Sequence, residues 1–113
     1  TLLRTVIMGG EIVKRWLPYN EGSSIGDIGS ENGTILCDEE YDGGCRITME
    51  KCPRYYAITC GVYGAMVHTA FCGPDDAKEM YEAMKLELGK FMATQTTEKE
   101  EYEFYDYFCS KYI

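Results

Sequence analysis

Histidine and tryptophan each occur once in these 113 residues and proline three times; no Cys-x-x-Cys pair occurs at all. Without closely spaced cysteines, neither a zinc ribbon nor a thioredoxin-type dithiol is signalled. No stretch approaches the roughly 18 consecutive apolar residues that a membrane helix needs, which excludes a helical membrane span. Glycine-rich phosphate loops are missing too: Gly9-Gly10 has no lysine following it, and the glycines from Gly26 to Gly33 open no helix. The serine pair Ser23-Ser24 has no nearby histidine and no nucleophile-elbow context. Basic residues are scarce, eleven against nineteen acidic ones. The net charge of -8 repels phosphate backbones and argues against nucleic-acid binding.

Apolar residues make up 45 % of the chain, enough for one hydrophobic core, and the length suits a single domain spanning 1–113. The opening Thr1 to Gly10 has no basic leader and no long apolar core, so the expectation is a protein of the cytoplasm. Acid is unevenly distributed. Residues 21–44 carry seven acidic side chains and no basic one, and the segment after residue 73 is again acidic.

Between Cys45 and Cys72, three runs rich in β-branched and aromatic residues are separated by Pro53-Arg54 and Tyr63-Gly64. They predict antiparallel strands over Cys45–Cys52, Tyr55–Val62 and Ala65–Cys72. A fourth strand, Thr34–Glu40, joins through the Asp-Gly turn signal at Tyr41-Asp42-Gly43-Gly44. If each break is a two-residue turn, Met49 faces Ile58 and Ile58 faces Thr69. Ile47, Ile58, Val67 and Phe71 then share an apolar face, and Arg46, Glu50, Tyr55, Met66, His68 and Cys72 a mixed one. Apolar positions Ala77, Met80, Met84, Leu88 and Phe91 step by three or four, predicting a helix near Asp75–Met92 lying on the apolar face. Tyr102, Tyr105, Phe108, Cys109 and Tyr112 mark a shorter terminal helix. The expected class is therefore α+β: a β-meander of four or more strands, one amphipathic helix packed on it and a second at the C-terminus. A hairpin of Leu2–Met8 and Glu11–Leu17 is expected ahead of the meander. The glycine-rich stretch Pro18–Gly33 is long enough for a functional or mobile loop.

Six cysteines could form a disulfide framework, but the register keeps candidate pairs beyond bridging distance. Cys45 and Cys60 lie diagonally, and a whole strand separates Cys52 from Cys72. Reduced thiols are the better reading. His68 and Cys72 share one strand at about 13 Å, too far for a nucleophile and its base, so no catalytic residues are assigned. The densest acidic cluster, Asp38, Glu39, Glu40 and Asp42, lacks the calcium-loop pattern and fits either a solvated edge or a surface for a basic protein. No metal or cofactor is implied. The reading is a small acidic binding protein of the inhibitor or immunity kind, with those four acids as its partner-binding residues. The alternative is a small-molecule binder or thiol-dependent enzyme built from Tyr55, Met66, His68 and Cys72 on the mixed face. What covers that face, chain, subunit or ligand, decides between them.

Overall fold

The computed structural model describes residues 15–113. Five strands, β1 (Trp16–Pro18), β2 (Thr34–Tyr41), β3 (Cys45–Lys51), β4 (Tyr56–Val62) and β5 (Met66–Cys72), form one antiparallel sheet in the order β1-β2-β3-β4-β5. Two helices follow, α1 (Ala77–Ala93) and α2 (Glu98–Lys111). The fold is α+β, with a meander and helix-on-sheet layering. Of the expected N-terminal hairpin, only Arg15–Leu17 is described; Trp16 and Leu17 belong to β1, paired with Tyr41 and Glu40. Leu2–Met8 lies outside the described residues.

Chain reversals between strands use the residues that tolerate left-handed backbone. At the β2–β3 turn Asp42 and Gly43 have φ of 44° and 74°, and the Gly44 N–H donates to the Tyr41 carbonyl at 2.8 Å. Positive φ at both central residues matches the twist of the flanking strands. Gly44 is confined further: a Cβ there would lie 2.4 Å from the terminal methyl of Met92.

The β3–β4 register is the expected one, Met49 opposite Ile58. The β4–β5 register is not. Ile58 faces Ala70 rather than Thr69, and Val62 pairs with Met66, so the turn contains Tyr63, Gly64 and Ala65 instead of two residues. Gly64 takes φ 76°, and the Ala65 N–H donates to the Val62 carbonyl at 2.9 Å, which accommodates the extra residue. Every side chain of β5 therefore changes face. Met66, His68, Ala70 and Cys72 lie on the helix side; Val67 and Phe71, expected in the core, are exposed. A second phase change occurs in β2, where a bulge at Leu36 puts Ile35 opposite Glu50 and Cys37 opposite Met49.

The core lies between the sheet and the helices, with Tyr41, Ile47, Ile58, Met84, Leu88 and Phe108 fully buried. Both helices pack on the sheet and on each other, joined by the stacked rings of Phe91 and Phe104, whose centroids are 4.2 Å apart. Glu87 adds a polar tie, accepting from Tyr107, Lys111 and Tyr112. α2 starts with a capping box: Thr97 Oγ1 accepts the Glu100 N–H, and the Glu100 carboxylate accepts the Thr97 N–H.

Leu88→Ala removes a fully buried side chain from beneath this layer and should cost about 2–5 kcal/mol in a urea melt, while Lys78→Ala, on the exposed side of the same helix, should stay within about 0.5 kcal/mol of the parent. Equal shifts in the two midpoints would contradict the packing of α1 on the sheet.

Candidate functional site

The sheet face turned away from the helices collects Ile35, Asp38 and Glu40 from β2, Arg46, Thr48 and Glu50 from β3, Thr59 and Gly61 from β4, and Val67, Thr69 and Phe71 from β5. The chain itself covers half of it. Residues 19–33 lie over the β2–β3 half, and two buried carboxylates hold them there.

Asp38 accepts from Arg46 Nε and Nη2 at 2.9 and 2.7 Å, from Thr48 Oγ1 at 3.0 Å and from Ser24 Oγ of the loop at 2.8 Å. The Arg46 guanidinium lies over the Tyr19 ring, 3.5 Å from its centroid. Burial alone would raise the Asp38 carboxyl. The hydrogen bonds from Arg46, Ser24 and Thr48, with the guanidinium's charge, outweigh that and hold it below the ordinary carboxylate range. Glu50, fully buried, accepts the backbone N–H groups of Glu31 and Gly33 at 3.1 and 3.0 Å. Two loop glycines are required by close approach. A Cβ at Gly29 would lie 2.3 Å from the Glu50 carboxyl carbon, and one at Gly33 would lie 2.6 Å from Cys52 Sγ.

No described segment covers the other half of the face. Between the loop tip at Ile28–Ser30 and the β4–β5 turn runs a groove of about 740 Å³, with Thr48, Thr59 and Gly61 among its lining. Thr59 and Thr69 share a hydrogen bond of 3.1 Å between their hydroxyls. The surroundings are apolar and exposed: Val67 (80 % exposed), Ile28 (67 %) and Tyr63 (48 %), with Phe71 and Tyr55 packed edge to face at 5.4 Å. Tyr63 donates its hydroxyl to Glu40 at 2.6 Å; burial and that carboxylate both push its pKa up.

The four acids expected to form a partner edge are divided between the two faces, and each is engaged within the chain. Asp38 is beneath the loop. Glu39 points to the helix side, accepting from Tyr81 Oη at 2.7 Å and Lys85 Nζ at 2.8 Å. Glu40 holds Tyr63, and Asp42, in the β2–β3 turn, pairs with Arg15. No run of free carboxylates lies along β2.

The alternative site also comes apart. Tyr55 remains by the open face against Phe71, whereas the register shift carries Met66, His68 and Cys72 to the helix side. The His68 ring is bonded to the Tyr112 carbonyl. Cys60 is its cross-strand neighbour, which the expected register had not allowed, yet no hydrogen bond among the described residues joins the imidazole to a thiol. All six cysteines are unbridged. Burial raises every one of their thiol pKa values, Cys45 to about 12, so none is poised as a thiolate. Among the described residues no group of three His, Cys, Asp or Glu side chains could hold a metal ion, and no helix is long and apolar enough to cross a membrane.

Sequence reasoning missed the open face of β4–β5, although a signal for it existed. From Tyr55 to Pro74 the chain carries no Asp, Glu, Lys or Arg, in a sequence that is 27 % charged. No family model matches this chain, and no curated protein or solved structure matches it either.

Asp38→Asn should destabilise the protein by about 1.5–3 kcal/mol at neutral pH, the scale of a hydrogen bond to a charged group. Because the folded carboxyl titrates below its unfolded value of about 3.9, its contribution is fully present above that value and is lost as pH falls through the folded one. Urea melts from pH 7 downwards should show the gap between parent and variant constant to about pH 5 and then closing; a gap that widens on acidification would contradict the assignment. Separately, native alkylation read by mass spectrometry should leave Cys45 and Cys60 unlabelled until denaturant is added.

Proposed function

We propose that this chain is a non-catalytic protein-binding module of the inhibitor or immunity kind, and that its partner docks on the open half of the second sheet face. The observation that carries this reading is the uncharged stretch from Tyr55 to Pro74, which presents Tyr63 and Val67 at the groove and the packed pair Tyr55 and Phe71 as further exposed aromatics. Interfaces concentrate their energy in exposed aromatic anchors flanking a recess, and they deplete charge at the centre. Tyrosine suits such a role because it combines rigid contact area with a hydroxyl.

A partner with a basic surface fits the remaining chemistry. The charge of -8 and the exposed loop acids Glu21 and Asp27 supply an attractive field, while Asp38 and Glu39 are consumed by internal pairs. Acid thus acts on the approach and the uncharged hairpin on the contact.

The test uses a partner captured from the source cell and then titrated against purified variants. Tyr63→Ala and Phe71→Ala, both at exposed positions, should each weaken binding about tenfold or more, equivalent to at least about 1.4 kcal/mol. Glu21→Gln with Asp27→Asn should slow association at low salt and have little effect near 1 M, where the Debye length is about 3 Å. A partner held with full affinity by both aromatic variants would overturn the assignment of the surface.

A further inference from the structure

The chain contains two asparagines, Asn20 and Asn32, and only Asn32 is followed by glycine. An Asn-Gly bond can rearrange with water as its sole co-reactant. The glycine nitrogen gives up its proton and attacks the asparagine side-chain carbon. The new carbon–nitrogen bond closes a succinimide ring, the bond to the side-chain nitrogen breaks, and ammonia leaves with the proton. Water then opens the ring at the side-chain carbonyl, leaving aspartate, or at the main-chain carbonyl, leaving isoaspartate, in which the backbone runs through the β-carbon. Glycine favours the attack because no Cβ hinders its nitrogen and its backbone turns freely.

The loop tip calls for both residues. Asn32 takes φ 64°, a left-handed conformation that asparagine tolerates better than most side chains. A Cβ on Gly33 would lie 2.6 Å from Cys52 Sγ and 2.8 Å from the Lys51 carbonyl oxygen. The dipeptide that fits the turn is therefore also the one most open to this chemistry. Its two reacting groups differ in access, since Asn32 is exposed and Gly33 is buried. The Gly33 N–H, which must lose its proton, donates at 3.0 Å to Oε1 of the fully buried Glu50, and the Glu31 N–H donates to the same oxygen at 3.1 Å. Attack requires the Gly33 nitrogen to leave that bond and turn toward the Asn32 side chain, in a place where Cys52 and Lys51 already crowd its α-carbon.

From these observations we infer that Asn32-Gly33 is a self-modification site: the chain deamidates there when the loop tip leaves Glu50, and the product then keeps the tip from returning. Glu50 acts as the guard, because the hydrogen bond that fastens the loop also holds the attacking nitrogen. The product disturbs the turn in two ways. Isoaspartate lengthens the main chain between hydrogen bonds that now close it, from Asn32 N–H to the Gly29 carbonyl at 3.0 Å and from Gly29 N–H to the Gly33 carbonyl at 2.9 Å. Either product also places a new carboxylate beside Glu31 and Glu50, where like charges repel. A reversible opening of the tip is thereby made permanent. The inference concerns the covalent chemistry of the loop and not what docks beside it, so it goes beyond the binding role proposed above.

Purified protein incubated in mildly alkaline buffer, folded and in urea, tests this by peptide mapping with isoaspartyl labelling, together with amide hydrogen exchange at Gly33. Unfolded chains should convert at Asn32 roughly tenfold or more faster than folded ones, because the tip must first open. Glu50→Gln weakens the guard directly, and Ser24→Ala removes the loop's bond to Asp38 without touching Glu50 or Asn32. Both should speed Gly33 exchange and Asn32 conversion in parallel, and Ser24→Ala carries the comparison alone if Glu50→Gln does not fold. Asn32→Gln, whose closure would need a larger ring, should stay unmodified throughout. Converted protein should melt below the parent and exchange its Glu31 amide freely. Folded protein that converts as fast as unfolded protein would overturn the inference. So would a variant whose Gly33 exchange rises while conversion stays level or slows, or converted protein that keeps the parent's midpoint and Glu31 protection.

Discussion

Side chains alternate across a strand with a period of two, so the length of the turn between β4 and β5 determines which half of β5 meets the helices. Gly64, at φ 76°, allows three residues in that turn. Met66, Ala70 and the His68 ring are thereby directed beneath α1 and α2, while Val67, Thr69 and Phe71 line the open face. A two-residue turn would bury Val67 and Phe71 and bring His68 and Cys72 out beside Tyr55. The apolar wall that Val67 gives the groove would vanish, and a mixed polar surface would replace it. The exposure of Val67 and Phe71 and the placing of His68 beside Cys60 both follow from one residue of turn length.

On the other half of the same face, acid serves as an internal fastener. Burying a carboxylate costs several kcal/mol unless its lone pairs are satisfied, and Asp38 and Glu50 meet that condition with donors drawn from the loop and the sheet together. The stretch 19–33 is long and glycine-rich because two of its glycines must approach Glu50 and Cys52 more closely than a side chain permits. Its length reflects the path needed to lay backbone N–H groups over a buried carboxylate. A loop pinned in this way makes one wall of the groove firm, which lowers the ordering cost of binding against it.

Much of this architecture was legible in the chain. Strand and helix positions follow from Asp-Gly and Pro-Arg turn signals and from the three-and-four spacing of Ala77, Met80, Met84 and Leu88, which are local properties. The β5 face was not legible, because its Met-Val-His-Thr-Ala-Phe-Cys run has apolar residues at both parities and either phase yields a plausible core. The Leu36 bulge carries no local mark either. The acid cluster was misleading for another reason: its partners lie far along the chain, Ser24 at 14 residues from Asp38 and Lys85 at 46 from Glu39. Charge density can be read from sequence, but whether a charge is spent internally depends on the tertiary structure.

Net charge and local neutrality are best understood together. An acidic chain resists indiscriminate association through self-repulsion, and screening confines that repulsion to about 8 Å at physiological ionic strength. Strands lie about 4.8 Å apart, so the charges of β3 are roughly 10 Å from β5, where that field is largely screened. The uncharged β4–β5 hairpin is therefore the part of the sheet where another surface can approach without electrostatic opposition from the strands themselves.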